Sequence, residues 1–216
     1  MTSLSKIQRV ALLAASTTVI TAGVLVPTSA FAAAAPVGVV TTTVAGSAGS
    51  ADAAAQWTQT TDAPSGVTVQ LPGQAHTETI DEDGIEARVH DVTTDYGFIR
   101  FTVFEGPDDG QGWDLTGSLQ KQLDMHNKDA AQSSGATLTG EDVQEGTTAE
   151  GLPALDAALT ATDGTAGDTR LIDLGPYMVQ VVVLGTTDDQ QAMEADYLRV
   201  LNGLELSGGD AATRSL

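Results

Sequence analysis

Two polar side chains stand inside strongly apolar runs. Arg100 interrupts Phe98-Ile99-Arg100-Phe101-Thr102-Val103-Phe104, and Gln180 interrupts Met178-Val179-Gln180-Val181-Val182. A guanidinium taken out of water needs a carboxylate partner. The first expectation is therefore a structural ion pair between Arg100 and an acid on a neighbouring element. If the two strands are neighbours, Arg100 and Gln180 lie under a helix or line a groove. The sharper expectation then places Arg100 at the floor of a pocket for an anionic ligand. Arg100 and Gln180 are the candidate ligand-binding residues.

Other chemistry-bearing residues are poorly spaced for catalysis. His76, His90 and His126 form no H-x-x-x-H pair and no H-E-x-x-H motif, the spacings that put two imidazoles on one helix face for zinc. His90 shares a strand face with Glu86 and Arg88, which predicts a solvent-facing position. His126 continues an apolar helix stripe, which predicts a place at the core edge. Asp81-Glu82-Asp83-Gly84 and Pro107-Asp108-Asp109-Gly110 are acidic enough for calcium. Calcium loops of the EF-hand type, however, space their oxygens and end in a distant bidentate Glu. The first run is expected to be a hairpin turn, the second a solvated turn leading to a helix cap at Trp113-Asp114. A G-x-S-x-G elbow is missing, and Gly110-Gln111-Gly112 lacks the Lys-Ser/Thr pair of a phosphate loop. Asp156 and Asp173 each stand in an apolar strand. Two such carboxylates could share acid–base work, but each is more simply expected to face solvent. No catalytic residue, metal site or cofactor is assigned.

The elements that must carry these residues follow from hydrophobic periodicity. Val67, Val69 and Leu71 alternate with Thr68 and Gln70 before Pro72-Gly73, a strand and its stop. Thr77–Ile80 and Ile85–Val92 flank Asp83-Gly84, a dipeptide that tolerates the positive φ of a tight turn. Tyr96–Phe104 places Ile99, Phe101 and Val103 on one face and Phe98 and Phe104 on the other, an interior strand. Further strands are expected at Thr137–Val143, Ala154–Thr162, Thr169–Leu174 and Tyr177–Leu184, the last two separated by Gly175-Pro176. Leu115, Leu119, Leu123, His126 and Ala130 form a helical stripe. Asp114 is its expected N-cap, and Gly135 lies past its end. A second helix is expected from Asp189 to Leu204, with Met193, Tyr197, Val200, Leu201 and Leu204 on one face. One apolar stripe per helix means that each lies on a sheet surface.

The chain opens with Lys6 and Arg9, an apolar run from Val10 to Val26, and Ser29-Ala30-Phe31-Ala32. Charged n-region, apolar h-region and A-x-A exit describe a signal peptide cleaved near Ala32. Ser16, Thr17, Thr18 and Thr21 make the run a poor membrane span, so no stable span is expected after cleavage. Removing residues 1–32 takes two bases and no acid, leaving 7 Lys+Arg against 29 Asp+Glu, a formal charge of −22. Such a chain repels nucleic acid and anionic lipid. Without cysteine, neither disulfides nor thiolate chemistry are available. Residues 33–56 are small and are expected to form a flexible Ala/Gly/Ser/Thr linker. Residues 57–206 hold every aromatic side chain beyond the signal peptide and are expected to form one domain. Residues 207–216 are expected to be a disordered tail.

The order of elements, with Gly66-Val67-Thr68-Val69-Gln70-Leu71-Pro72-Gly73, the strand Phe98–Phe104 and the closing block Arg170-Leu171-Ile172, Tyr177–Gly185 and Tyr197-Leu198, resembles the Mog1/PsbP-like α/β sandwich. It is similar in particular to the actinobacterial LpqN-type envelope proteins. The resemblance implies an α+β fold: a twisted, mainly antiparallel sheet with two amphipathic helices packed on it. It also implies a secreted, non-enzymatic binding or accessory protein at or near the cell envelope. Its expected partner is an envelope protein or a small amphiphilic ligand. LpqN-type members carry an acylated Cys that this chain lacks. The alternative is a secreted hydrolase with an unrecognised carboxylate site. The oligomeric state is left open.

Overall fold

A computed structural model describes residues 56–206, apart from Asp83, residues 107–110 and Ser134. The expected signal peptide (1–32), the linker up to residue 55, the tail (207–216) and the acidic loop Pro107–Gly110 lie outside the described residues.

The alternating residues Val67, Val69 and Leu71 sit in strand β2 (Thr68–Pro72) and its approach, fully buried on one face. β2 pairs antiparallel with β1 (Trp57–Thr61), a strand whose composition, Trp-Thr-Gln-Thr-Thr, carries no alternating apolar signal of its own. A ribbon follows: β3 (His76–Glu82), β4 (Ile85–Thr93) and β5 (Gly97–Glu105). Glu82 opposes Ile85, and Gly84 between them takes a positive φ of 77°, as a tight hairpin connection favours. Helix α1 (Leu115–Ser133) then carries the chain to the far edge of the sheet. A second ribbon, β6 (Leu138–Thr147), β7 (Pro153–Ala161), β8 (Thr165–Asp173) and β9 (Tyr177–Thr186), returns to the centre. The seven strands are all antiparallel, in the order β3-β4-β5-β9-β8-β7-β6, so the two ribbons meet at β5 and β9. After a single 3₁₀ turn over Thr187–Asp189, helix α2 (Gln190–Asn202) closes the domain. The α+β fold and both helices are as the periodicity predicts.

Strand alternation gives the sheet two apolar faces. On one, Ile99, Phe101, Val103, Val179, Val181 and Val183 pack against Met193, Tyr197 and Val200 of α2 and against Val67, Val69 and Leu71 of the hairpin. Each large side chain buried there contributes about 1.5–3 kcal/mol. On the other, Leu155, Leu171, Met178, Val182 and Leu184 meet Leu115, Leu119 and Leu123 of α1. Both edge strands are blunted by charge. On β6, Glu141, Asp142 and Glu145 are exposed, and the ladder slips between Glu141 and Gln144, where Asp142 takes φ 50°. Such a bulge with acids discourages pairing with a foreign strand.

Helix α1 is anchored towards both ends by polar groups. Asp114 Oδ1 accepts from the Gly117 N–H at 2.8 Å, confirming the expected N-cap of α1. Asp173, expected to face solvent, is instead buried. Its carboxylate accepts from the N–H groups of Trp113 (3.1 Å) and Gly175 (2.7 Å). Register puts Asp173 opposite Met178, on the α1 face, where the loop entering α1 needs an acceptor. At the other end of α1, the Asn127 amide both donates to the Leu138 carbonyl (2.9 Å) and accepts from its N–H (2.7 Å).

Candidate functional site: a groove beside helix α1

Helix α1 packs over β6, β7 and β8. The same face of β3, β4 and β5 therefore continues beside it. Between them lies a cavity of about 110 Å³, walled by Ile80, Ala87, Phe98, Phe104, Leu119 and Val182. Arg100 and Gln180 both line it, together with Thr102 and Gln122. The two candidate residues are thus brought to one groove. Thr102 pairs directly with Gln180 across β5 and β9, and Arg100 pairs with Val182, so Arg100 and Gln180 are diagonal neighbours on one face.

The polar floor is internally matched. Arg100 is only 8 % exposed. It pairs with Asp91, its register partner on β4, through Nε–Oδ1 at 2.6 Å and Nη2–Oδ2 at 3.0 Å. Its guanidinium also lies 5.4 Å from the centre of the Phe98 ring. This is the expected ion pair with an acid on a neighbouring element. Gln180 Nε2 donates to Gln122 Oε1 on α1 at 2.7 Å and to Thr169 Oγ1 at 3.2 Å. The first bond ties the middle of the helix to the sheet across the groove.

Sequence reasoning found Arg100 and Gln180 because a polar letter in an apolar strand is visible. It missed Asp91, Gln122 and Thr102, which only register and helix placement bring to the site. Asp91 could have been found by aligning β4 and β5 outward from the turn between Thr93 and Phe98, which sets it opposite Arg100.

The remaining candidates fall elsewhere. Asp156 faces the α2 side and pairs with Arg170 at 2.7 Å, its register partner. Asp173 is on the α1 side, so these two carboxylates lie on opposite faces and do not converge. His76 is exposed at the start of β3. Asp81, in the first acidic run, is exposed and opposes Glu86 in the ladder. Among the described residues no group of three or more His, Asp or Glu is placed to hold a metal ion. Ser118 and Lys121 happen to have the S-x-x-K spacing near the start of α1. Lys121 is exposed, without the desolvation that activates an amine as a base or nucleophile.

His90 is not solvent-facing as expected. It is buried, stacked on Phe101 with ring centres 5.5 Å apart, and its Nδ1 lies 3.1 Å from Thr77 Oγ1. The β1–β2 hairpin lies over that face of the sheet, which strand periodicity alone could not foresee. His126 sits on the α1 stripe at the rim of the groove, and its Nε2 donates to the Ala136 carbonyl at 2.9 Å. Burial pushes both imidazoles below the ordinary value of 6.5. The unfolded chain then binds more protons than the folded one as pH falls below about 6.5, so stability is full above that pH and declines on acidification. Asp168 acts in the opposite sense. Burial, with Glu194 and Asp156 nearby, raises its carboxyl above the ordinary 3.8, so the fold takes up that proton first. The urea midpoint is expected to fall between pH 7.5 and 5.5. The drop should shrink in a folded His90→Asn/His126→Asn variant. An unchanged midpoint in the parent protein would contradict the burial of both rings.

Sheet order, hairpin cover and the two one-sided helices define the chain as an α+β sandwich of the PsbP/Mog1 type. A solved structure is similar in fold: the cyanobacterial PsbP (CyanoP) of Synechocystis sp. PCC 6803 matches with a TM-score of 0.51 over 74% of this chain and 98% of that one, at 13% sequence identity. No protein-family model and no curated protein sequence matches the chain. Among the described residues no helix is long and apolar enough to cross a membrane.

Proposed function

We propose that this chain is a secreted, non-enzymatic accessory protein that acts at or near the cell envelope and takes the apolar part of a small amphiphilic ligand into the groove beside α1. The observation that carries the reading is the groove itself: apolar walls around a few convergent polar groups, the usual form of a ligand site. Secretion rests on the n-region, h-region and Ala30-Phe31-Ala32 exit of the sequence. The LpqN-type relationship belongs to the same proposal, resting on the opening strand Gly66–Gly73 and the closing block. The hydrolase alternative gains no support from Asp156 and Asp173, which face opposite sides of the sheet.

N-phenylnaphthylamine, an uncharged dye that brightens in apolar surroundings, is the direct probe. It is expected to bind the protein and to be displaced by single-chain amphiphiles. Ile85 is half-buried at the groove. Ile85→Trp should fill the opening and weaken dye binding by about tenfold or more, with the thermal midpoint moving only a few degrees. Equal binding by the folded variant, or no binding by the parent protein, would remove the groove from the proposal. Cell fractionation with N-terminal sequencing tests the rest: the protein should be outside the cytoplasm and begin near Ala33.

A further inference from the structure

We propose that the groove takes a ligand bearing a hydroxyl, and that His126 Nδ1 accepts the hydrogen bond this hydroxyl donates. The inference rests on the reading of the groove as a ligand site and names a contact made there. It starts from an unmet acceptor. Among the described residues, two buried side-chain polar atoms have no hydrogen-bond partner, His90 Nε2 and His126 Nδ1. His90 stacks on Phe101, on the face of the sheet that α2 and the hairpin cover. His126 lines the groove and is 5 % exposed. Buried polar atoms nearly always find a partner, so one that lacks it in the wall of a cavity calls for an occupant.

The state of the ring fixes what that occupant must bring. A carbonyl oxygen only accepts, so the 2.9 Å contact between Nε2 and the Ala136 carbonyl requires the proton on Nε2. Burial holds the imidazole below its ordinary 6.5, against the opposing pull of that carbonyl, Asp129 and Asp163. At pH 7.5 the ring is therefore neutral, and Nδ1 carries a lone pair. Its complement is an O–H. An ether has the same oxygen without the proton and leaves Nδ1 unmet. The bond to Ala136 also fixes the ring, so the acceptor is held in place before a ligand arrives. His126 stands one helical turn after Gln122 on α1, and both line the groove. The apolar walls take the chain of the ligand, and His126 is the residue that tells an alcohol from an ether.

The test uses two isomers, 1-octanol and 1-methoxyheptane, which differ in whether the oxygen carries a proton. Each is titrated against N-phenylnaphthylamine bound to the purified protein at pH 7.5. The ratio of the two within one protein cancels any change in the dye's own affinity. Octanol is expected to displace the dye at about fivefold lower concentration than the ether, the worth of one hydrogen bond. His126→Gln keeps a donor for the Ala136 carbonyl and removes the Nδ1 acceptor, so it should abolish or reverse the preference. In ¹⁵N spectra of the parent protein, the His126 Nδ1 resonance should move upfield with octanol, as a lone pair that gains a donor does, and stay in place with the ether. Equal displacement by the two isomers on the parent protein, the result if water already satisfies Nδ1, overturns the inference while leaving the groove a ligand site. A folded His126→Gln protein that keeps the preference overturns it as well, because other polar groups of the groove then read the hydroxyl. Should His126→Gln fail to fold, the Nδ1 resonance decides, and no movement with octanol overturns the assignment. Dye binding that is insensitive to Ile85→Trp sinks the underlying reading of the groove, and the inference with it.

Discussion

Replacing Arg88 by alanine is expected to lower the unfolding free energy by about 3–5 kcal/mol, the usual loss when one partner of a buried ion pair is removed. Arg88 Nε meets Asp62 Oδ1 at 2.7 Å and Nη2 meets Oδ2 at 3.2 Å. Nη1 reaches Glu86 at 2.6 Å and Glu105 at 2.8 Å. Asp62 is 2 % exposed and also accepts from the Ser65 hydroxyl at 2.6 Å. The two glutamates are partly exposed and can rehydrate when Arg88 is lost; Asp62 cannot. Burial pushes the Asp62 carboxyl up, but its bonds to Arg88 and Ser65 outweigh burial and hold it below the ordinary 3.8. The contribution is therefore complete above about pH 4 and is lost as pH falls through the lowered value. The pair also joins the β1–β2 hairpin to β4, so its loss should expose the apolar face the hairpin covers. Urea unfolding of Arg88→Ala, Asp62→Ala and the double variant forms a cycle with an expected coupling of about 2–3 kcal/mol. Additive losses would mean that the two residues act separately.

Gly185→Val is expected to cost about 3 kcal/mol or more, at the upper end of overpacking penalties. Gly185 lies opposite Gly97 where β9 meets β5. A Cβ on Gly185 would stand 2.5 Å from the Tyr96 carbonyl oxygen and 2.8 Å from Met193 Sδ. The methionine can turn aside, but the carbonyl belongs to backbone held in place by Thr186, whose N–H donates to it at 3.0 Å. Accommodation requires shifting the Tyr96 backbone or parting the central strands. Gly146, on the exposed edge strand β6, is the control, because a Cβ there meets nothing within 4 Å. Gly146→Val should be neutral or mildly stabilising, since a β-branched residue suits a strand. Similar thermal midpoints for the two variants would refute the close approach of the Tyr96 backbone to Gly185.

The fold was legible wherever packing repeats along the chain. Leu115, Leu119, Leu123, His126 and Ala130 are the residues that α1 buries, and Asp114 caps it. The alternating faces of β5 were visible because each side needs its own apolar set. What stayed hidden depends on partners distant in sequence. β1 has almost no apolar pattern and is a strand because β2 offers it a ladder. His90 is indistinguishable in sequence from an exposed cross-strand residue, since the hairpin that covers it begins some thirty residues earlier. Asp62 reads as a turn residue; only the arrival of Arg88 makes it a buried ion. At the groove, Arg100 and Gln180 announce themselves by polarity, whereas Asp91 and Gln122 are ordinary polar letters until register and the helix bring them inward.

The meeting of the two ribbons at β5 and β9 joins residues 72 to 88 positions apart. Closing a loop that long costs entropy before any contact rewards it, and topologies of this kind fold slowly. The central seam cannot form until β9, which ends at Thr186 of the 216 residues, has been synthesised. Until then the ribbon of β3, β4 and β5 has no partner along β5, and the apolar residues on both faces of that strand stay uncovered.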